Sequence, residues 1–220
     1  MREETPSNGL TLRGRTVPTY IAVEGPIGVG KTTLARRIAE TFAHELLLEE
    51  AELNPFLERF YQNRQQTALA TQLFFLFQRV QKITELKQRD MFDQNRVADF
   101  VLEKDPLFAR VNLDADEYAL YQKVFEKMRV DAPVPDLVIY LQANPDRLLE
   151  RIEKRGIDAE RLIERTYLEQ LNEVYSEFFL YYDDAPLLIV NANDIDLTRG
   201  DRDYEQRINY MLDIKKGRHY

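Results

Sequence analysis

The residues Gly25-Pro26-Ile27-Gly28-Val29-Gly30-Lys31-Thr32 match the pattern G-x-x-x-x-G-K-[ST] without a gap. This P-loop pattern constrains the fold because it needs a strand before it and a helix after it. Tyr20–Val23, in front, is a short apolar run with the character of a buried strand. Thr33–Thr41, behind, carries Leu34 and Ile38 four residues apart, a helical spacing. Glycines let backbone N–H groups turn inward around a phosphate chain, and the helix N-terminus adds its partial positive charge. Contacts to the phosphates of ATP are therefore expected from Gly25, Gly28, Val29, Gly30, Lys31, Thr32 and Thr33. Lys31 is placed to reach the terminal phosphates, and the Thr32 hydroxyl to bind Mg2+.

Bulk composition narrows the partners. A chain of 220 residues suits one domain carrying a lid, here a loose polar leader at 1–18 and a domain at 19–220 with the lid near 151–161. A net charge of −8 and a pI near 5.0 argue against DNA or RNA as the main partner. The chain has no cysteine, which excludes disulfides and thiolate metal sites. Its two histidines, His44 and His219, are too few for a histidine metal cage and read as surface residues. No run approaches a membrane span and no signal peptide leads the chain, so a cytoplasmic protein with no membrane partner is expected.

Five short segments read as strands: Tyr20–Val23, Leu46–Leu48, Arg96–Asp99, Leu137–Leu141 and Leu187–Val190. Helical patterns separate them, which predicts a five-stranded parallel sheet buried on both faces, an α/β three-layer sandwich. A long helical insert lies between the second and third strands. It comprises Pro55–Tyr61 and a helix over about Thr67–Arg89 in which Leu69, Leu73, Leu76, Phe77, Val80, Ile83 and Leu86 keep helical spacing. That helix is apolar around much of its girth, Phe74 and Phe75 included, so it needs a second cover; a homodimer partner or the neighbouring helices would supply it. Further helices are expected at Asp116–Met128, from Asn144-Pro145 through Arg155, and beyond Gly156.

Parallel sheets carry their chemistry at strand carboxyl ends. Glu49 follows the second strand and Asp99 ends the third. Phosphoryl transfer needs one carboxylate near Mg2+ and another group to orient and deprotonate the acceptor, and with histidine scarce a carboxylate suits the second task. Taken alone, Glu49, Glu50 and Glu52 read rather as a solvated acidic loop. Arg151 and Arg155 lie four apart on one helix face with Arg161 beyond, either a lid over a triphosphate or a basic face paired with Glu150, Glu153 and Glu160. Gln72 and Arg79, seven apart, fit either a base-reading pair or a polar stripe. The aromatics Phe74, Phe75, Phe77 and Phe100 read as core.

From about Tyr20 onward the chain resembles the deoxynucleoside kinase family, particularly its bacterial deoxyadenosine, deoxyguanosine and deoxycytidine kinase branch. Glu49, ahead of Asn54-Pro55-Phe56-Leu57-Glu58-Arg59-Phe60-Tyr61, matches the family's base glutamate. Gln72 falls on the glutamine that pairs with the nucleobase and Arg79 on the arginine two turns later; Asp105 matches that arginine's acidic partner. Asp99 matches the acid of the Glu/Asp-Arg-Ser motif, Arg151-Ile152-Glu153-Lys154-Arg155-Gly156 looks like the lid motif, and Tyr61 and Glu160 fall where the family holds the sugar 3′-hydroxyl. The chain departs from the pattern in three places: Glu50 replaces a proline, Phe100 the motif arginine, and Ile157 the last lid arginine.

The resemblance implies ATP- and Mg2+-dependent phosphorylation of the 5′-hydroxyl of a deoxynucleoside, with adenine, cytosine or guanine preferred over thymine, in nucleotide salvage by a homodimer. Glu49, Lys31, Arg151 and Arg155 would be catalytic, and Thr32 and Asp99 would hold the metal. Two other readings share the P-loop: a nucleoside monophosphate kinase of thymidylate type, which needs cations where Glu49 stands, and an ATP-binding switch without transferase activity.

Overall fold

The computed structural model describes residues 11–12, 14–89, 95–128, 132–193 and 201–220. Of the segment expected as leader, residues 1–10 and 13 lie outside the described residues. Thr11–Leu12 (β1) and Arg15–Thr16 (β2) pair antiparallel around Gly14. Val17 is buried, and Arg15 Nε reaches Asp213 Oδ1 at 3.0 Å, so this end of the segment lies against the domain.

Ile21, Ala22, Val23 and Glu24 are buried in succession, which requires cover on both faces of their strand, β3 (Tyr20–Glu24). Helix α1 (Lys31–Phe42) follows the glycine loop and buries Leu34, Ala35, Ile38 and Phe42. Strand β4 (Glu45–Leu47) leads to α2 (Leu57–Gln62) and the long α3 (Arg64–Arg89). The chain returns to the sheet as β5 (Arg96–Ala98), then forms α4 (Asp105–Asn112) and α5 (Ala115–Met128). Strand β6 (Leu137–Gln142), α6 (Pro145–Arg155), α7 (Arg165–Tyr181), β7 (Leu187–Asn191), α8 (Asp201–Met211) and β8 (Arg218–His219) complete the order.

The main sheet is parallel, in the order β4-β5-β3-β6-β7-β8. It has six strands where the sequence predicts five. The extra strand is β8, whose two residues pair with Leu187 and Leu188. A polar stretch, Lys215-Lys216-Gly217-Arg218-His219, carries no apolar run to reveal it. His44 also departs from expectation: it is buried, with Nδ1 on the Phe42 carbonyl at 3.0 Å and Nε2 on the Pro18 carbonyl at 2.9 Å.

The principal core lies around the sheet, where Phe179 of α7 stacks on Tyr140 with ring centroids 4.1 Å apart. A second cluster joins Leu76, Val80 and Ile83 of α3 to Phe100, Leu102, Ala109 and Tyr121. This cluster fixes α3 beside the carboxyl ends of β4 and β5, and with it the polar stripe that α3 turns toward the glycine loop.

Candidate active site

The loop after β3 turns on glycines at backbone angles that side chains rarely adopt. Gly25 has φ +149°, and a Cβ there would lie 2.4 Å from the Leu141 carbonyl oxygen. Gly30, at φ +104°, precedes α1 directly. Lys31 folds back over the loop, its Nζ donating to the carbonyls of Gly25 at 2.7 Å and Pro26 at 3.1 Å. Burial and then the nearby Lys104 ammonium push Lys31 down to about 8, against the pull of Glu24, Glu49 and Asp99.

Asp99 ties three elements together. Its Oδ2 accepts from Thr32 Oγ1 at 2.5 Å, and its Oδ1 accepts from the Glu49 backbone N–H at 2.7 Å. The acid after β5 thus fixes both the start of α1 and the backbone two residues beyond β4. Glu49 then projects between two cations. Arg79 donates from Nε to Oε1 at 2.6 Å, and Lys104 Nζ lies 3.0 Å from Oε2. Burial pushes this carboxyl up, but Arg79, Lys104 and Lys31 outweigh it and hold it down at about 2.

The far side of Arg79 pairs with Asp105, which is fully buried. Asp105 also accepts from Gln72 Nε2 at 2.8 Å and from the Tyr121 hydroxyl at 2.5 Å. Gln72, Arg79 and Asp105, separate signals in the sequence, therefore form one hydrogen-bonded group. Tyr61 and Glu160 line the same cleft, and Glu160 pairs with Arg155. Burial, more than Arg155 offsets, pushes the Glu160 carboxyl up, and burial likewise pushes up the Tyr61 hydroxyl. Arg151 donates to the carbonyls of Val29 at 3.0 Å and Ala192 at 2.6 Å, bracing the glycine loop from α6.

Two cavities meet here. The narrower runs past Gln72, Phe75, Arg79, Tyr61 and Tyr167; the wider runs along the glycine loop beneath Arg147, Arg151 and Arg155. Lys31, Thr32 and Glu49 line both. Such a junction brings a phosphate donor in one cavity against an acceptor in the other, with a carboxylate at the meeting point.

Sequence reasoning missed four residues of this site. Glu24 is fully buried and accepts from Gly25 N–H, Val101 N–H and Tyr175 OH. The criterion that singled out Asp99, an acid ending an apolar strand, applies equally to Glu24. Phe75, read as core, lines the narrower cavity. Lys104 and Tyr121 carry no signal in a single sequence.

The family model described as deoxynucleoside kinase matches residues 21–214. The chain belongs to the deoxynucleoside kinase family. It is 33% identical over 192 residues to a deoxyguanosine kinase of Bacillus subtilis (strain 168), covering 85% of this chain and 93% of that one. A deoxyadenosine/deoxycytidine kinase of the same organism is 29% identical over 204 residues, covering 89% and 93%. Among solved structures, deoxyadenosine kinase from M. mycoides with bound dATP superposes with a TM-score of 0.75 at 30% identity, covering 88% of this chain and 98% of that chain. As a member of this family the chain is a kinase, a phosphotransferase acting on nucleosides.

Proposed function

We propose that the protein transfers the γ-phosphoryl group of ATP to the 5′-hydroxyl of a deoxynucleoside, with deoxyadenosine, deoxyguanosine or deoxycytidine favoured over thymidine. The observation that carries this reading is Glu49, an ionised carboxylate at the junction of two cavities, beside a P-loop lysine.

The geometry supports the following roles. ATP phosphates lie on the backbone of Gly28–Thr33 and displace the Gly25 and Pro26 carbonyls from Lys31. Anionic phosphate favours the charged form of that ammonium, countering the effect of burial. Thr32 and Asp99 present a hydroxyl and a carboxylate oxygen side by side, a donor set suited to Mg2+. When bound, Mg2+ neutralises charge on the phosphates.

Glu49 accepts a hydrogen bond from the 5′-hydroxyl and takes its proton as the phosphorus–oxygen bond forms. The transition state is loose, so early proton removal is unnecessary and a weakly basic carboxylate suffices. Arg155 swings from Glu160 toward the transferring group, and Arg151 keeps the loop in register. Tyr61 and Glu160 hold the sugar 3′-hydroxyl. Gln72 offers an amide to the base edge, while Arg79 and Asp105 fix its orientation.

The assembly we propose is a homodimer through α3 and α5. Phe77 and Leu120 are large apolar residues left 48% and 50% exposed there, which cover by the neighbouring helices does not account for. Among the described residues no helix is long and apolar enough to cross a membrane. We place the enzyme in the cytoplasm, in nucleotide salvage. A coupled assay with ATP-Mg2+ and the four natural deoxynucleosides tests the substrate assignment. One of the three favoured nucleosides should give the highest kcat/KM; thymidine as the best substrate would overturn the preference.

A further inference from the structure

Lys104 is 1% exposed, and its ammonium lies 3.0 Å from Glu49 Oε2 and 3.6 Å from Glu24 Oε2. A buried ion pair seldom adds stability over apolar side chains of the same volume, so its presence asks for another explanation. The place of this cation in the fold supplies one. Glu24 ends β3 immediately before the glycine loop and holds the Val101 backbone N–H at 3.1 Å. Val101 opens the short turn that delivers Lys104. One acid therefore fixes both the backbone and the side chain of the lysine.

Lys104 and Asp105 are consecutive and control opposite oxygens of one carboxylate. Lys104 holds Glu49 Oε2 directly, while Asp105 holds Arg79, which holds Oε1. Phe100, directly after Asp99, is buried in the second apolar cluster and brings no charge to the cavity. We infer that Lys104, anchored by Glu24, is a positioning residue that sets the orientation of Glu49 for the acceptor hydroxyl.

This inference rests on the proposed role of Glu49 and deepens it. Arg79 alone would leave the carboxylate free to rotate about its Oε1 contact. With Oε2 tethered as well, both oxygens are fixed in direction. When the acceptor's proton passes to Glu49, its negative charge is lost, and Lys104 stays paired with Glu24. The ammonium therefore keeps a counter-ion in both protonation states.

The absence of cysteine allows the charge to be removed and restored at one atom. Lys104→Cys is alkylated in denaturant and refolded, once with 2-bromoethylamine, which rebuilds an ammonium of lysine length, and once with iodoacetamide, which leaves a neutral amide. Both are assayed with ATP-Mg2+ and each deoxynucleoside, with thermal unfolding as the check on folding. The neutral adduct should lose about 100-fold or more in kcat, the scale of a misplaced acid–base group, while KM for ATP stays put. The aminoethyl adduct should regain most of that loss. Equal kcat for two folded adducts would overturn the inference.

If the neutral adduct does not refold, Lys104→Gln, which keeps a donor without the charge, replaces it. The same loss of kcat is expected, and wild-type kcat would overturn the inference. Glu49→Gln separates the two levels of the account. Wild-type turnover in that variant would sink the proposed role of Glu49. Its collapse, together with indifference to charge at position 104, would sink only the role of Lys104.

Discussion

Arg79 donates from Nε to Glu49 Oε1 at 2.6 Å while its far side is buried against Asp105. In the proposed mechanism the side chain that orients the base-reading amide thus also holds the carboxylate that would receive the proton. Replacing it by an apolar side chain strands Asp105, which is fully buried. Arg79→Met should therefore destabilise the fold by about 3–5 kcal/mol, the cost of leaving one partner of a buried pair uncompensated. Urea unfolding checks this, and a loss below about 1 kcal/mol, the scale of a surface pair, would contradict it.

Tyr121 gives access to the half of the network that carries the proposed base contacts. Its hydroxyl donates to Asp105 Oδ1 at 2.5 Å. Tyr121→Phe should lose about 1.5–3 kcal/mol of stability, as expected for a hydrogen bond to a charged group. KM for the deoxynucleoside should rise, with KM for ATP unchanged. Steady-state kinetics with each substrate varied in turn measures the split.

The acid limb of stability should carry the signature of Glu49. Its folded pKa, about 2, is below the ordinary value of 4.5. A depressed carboxyl contributes stability that is complete above the unfolded pKa and lost as pH falls through the folded one. The stability of the wild type relative to Glu49→Gln should therefore decline as pH drops from about 4.5 toward 2. Unfolding of both proteins across that range, without nucleotide or metal, checks the sign. A difference that grows on acidification would contradict it.

Gly25→Ala tests the loop. The added Cβ would meet the Leu141 carbonyl at 2.4 Å, at a φ of +149° that side chains rarely adopt. Overpacking of this kind costs about 1–3 kcal/mol, and the strained backbone adds to it. ATP affinity should fall with it, because the displaced segment leads into the backbone of Gly28–Thr33, on which the phosphates lie in the proposed mechanism. Calorimetric titration with ATP-Mg2+ gives the comparison.

How much of this was legible in the sequence depends on whether a feature is local. The glycine loop, its strand and its helix are contiguous, so pattern and context agree. The other buried strands announce themselves as apolar runs, and their ends shift by only a residue or two. Strand β8 does not, since its pairing with β7 is made by two polar residues through the backbone alone. His44 looks like a surface residue until Pro18 and Phe42 are brought to its ring nitrogens. The charged network has the same character. Lys104 meets Glu49 across 55 positions, and Tyr175 meets Glu24 across 151. Gln72 and Arg79 are marked by their seven-residue spacing, and Asp105 only by resemblance to a known family; their joining at one buried carboxylate is a product of folding.

The most direct test of the central claim uses γ-labelled ATP with the wild type and Glu49→Gln, each given a deoxynucleoside or its 5′-monophosphate as acceptor. The wild type should place label on the deoxynucleoside and leave the monophosphate untouched. Glu49→Gln should bind ATP with wild-type affinity and lose about 100-fold or more of the transfer. Label appearing in a diphosphate, or transfer by Glu49→Gln at the wild-type rate, would contradict the account.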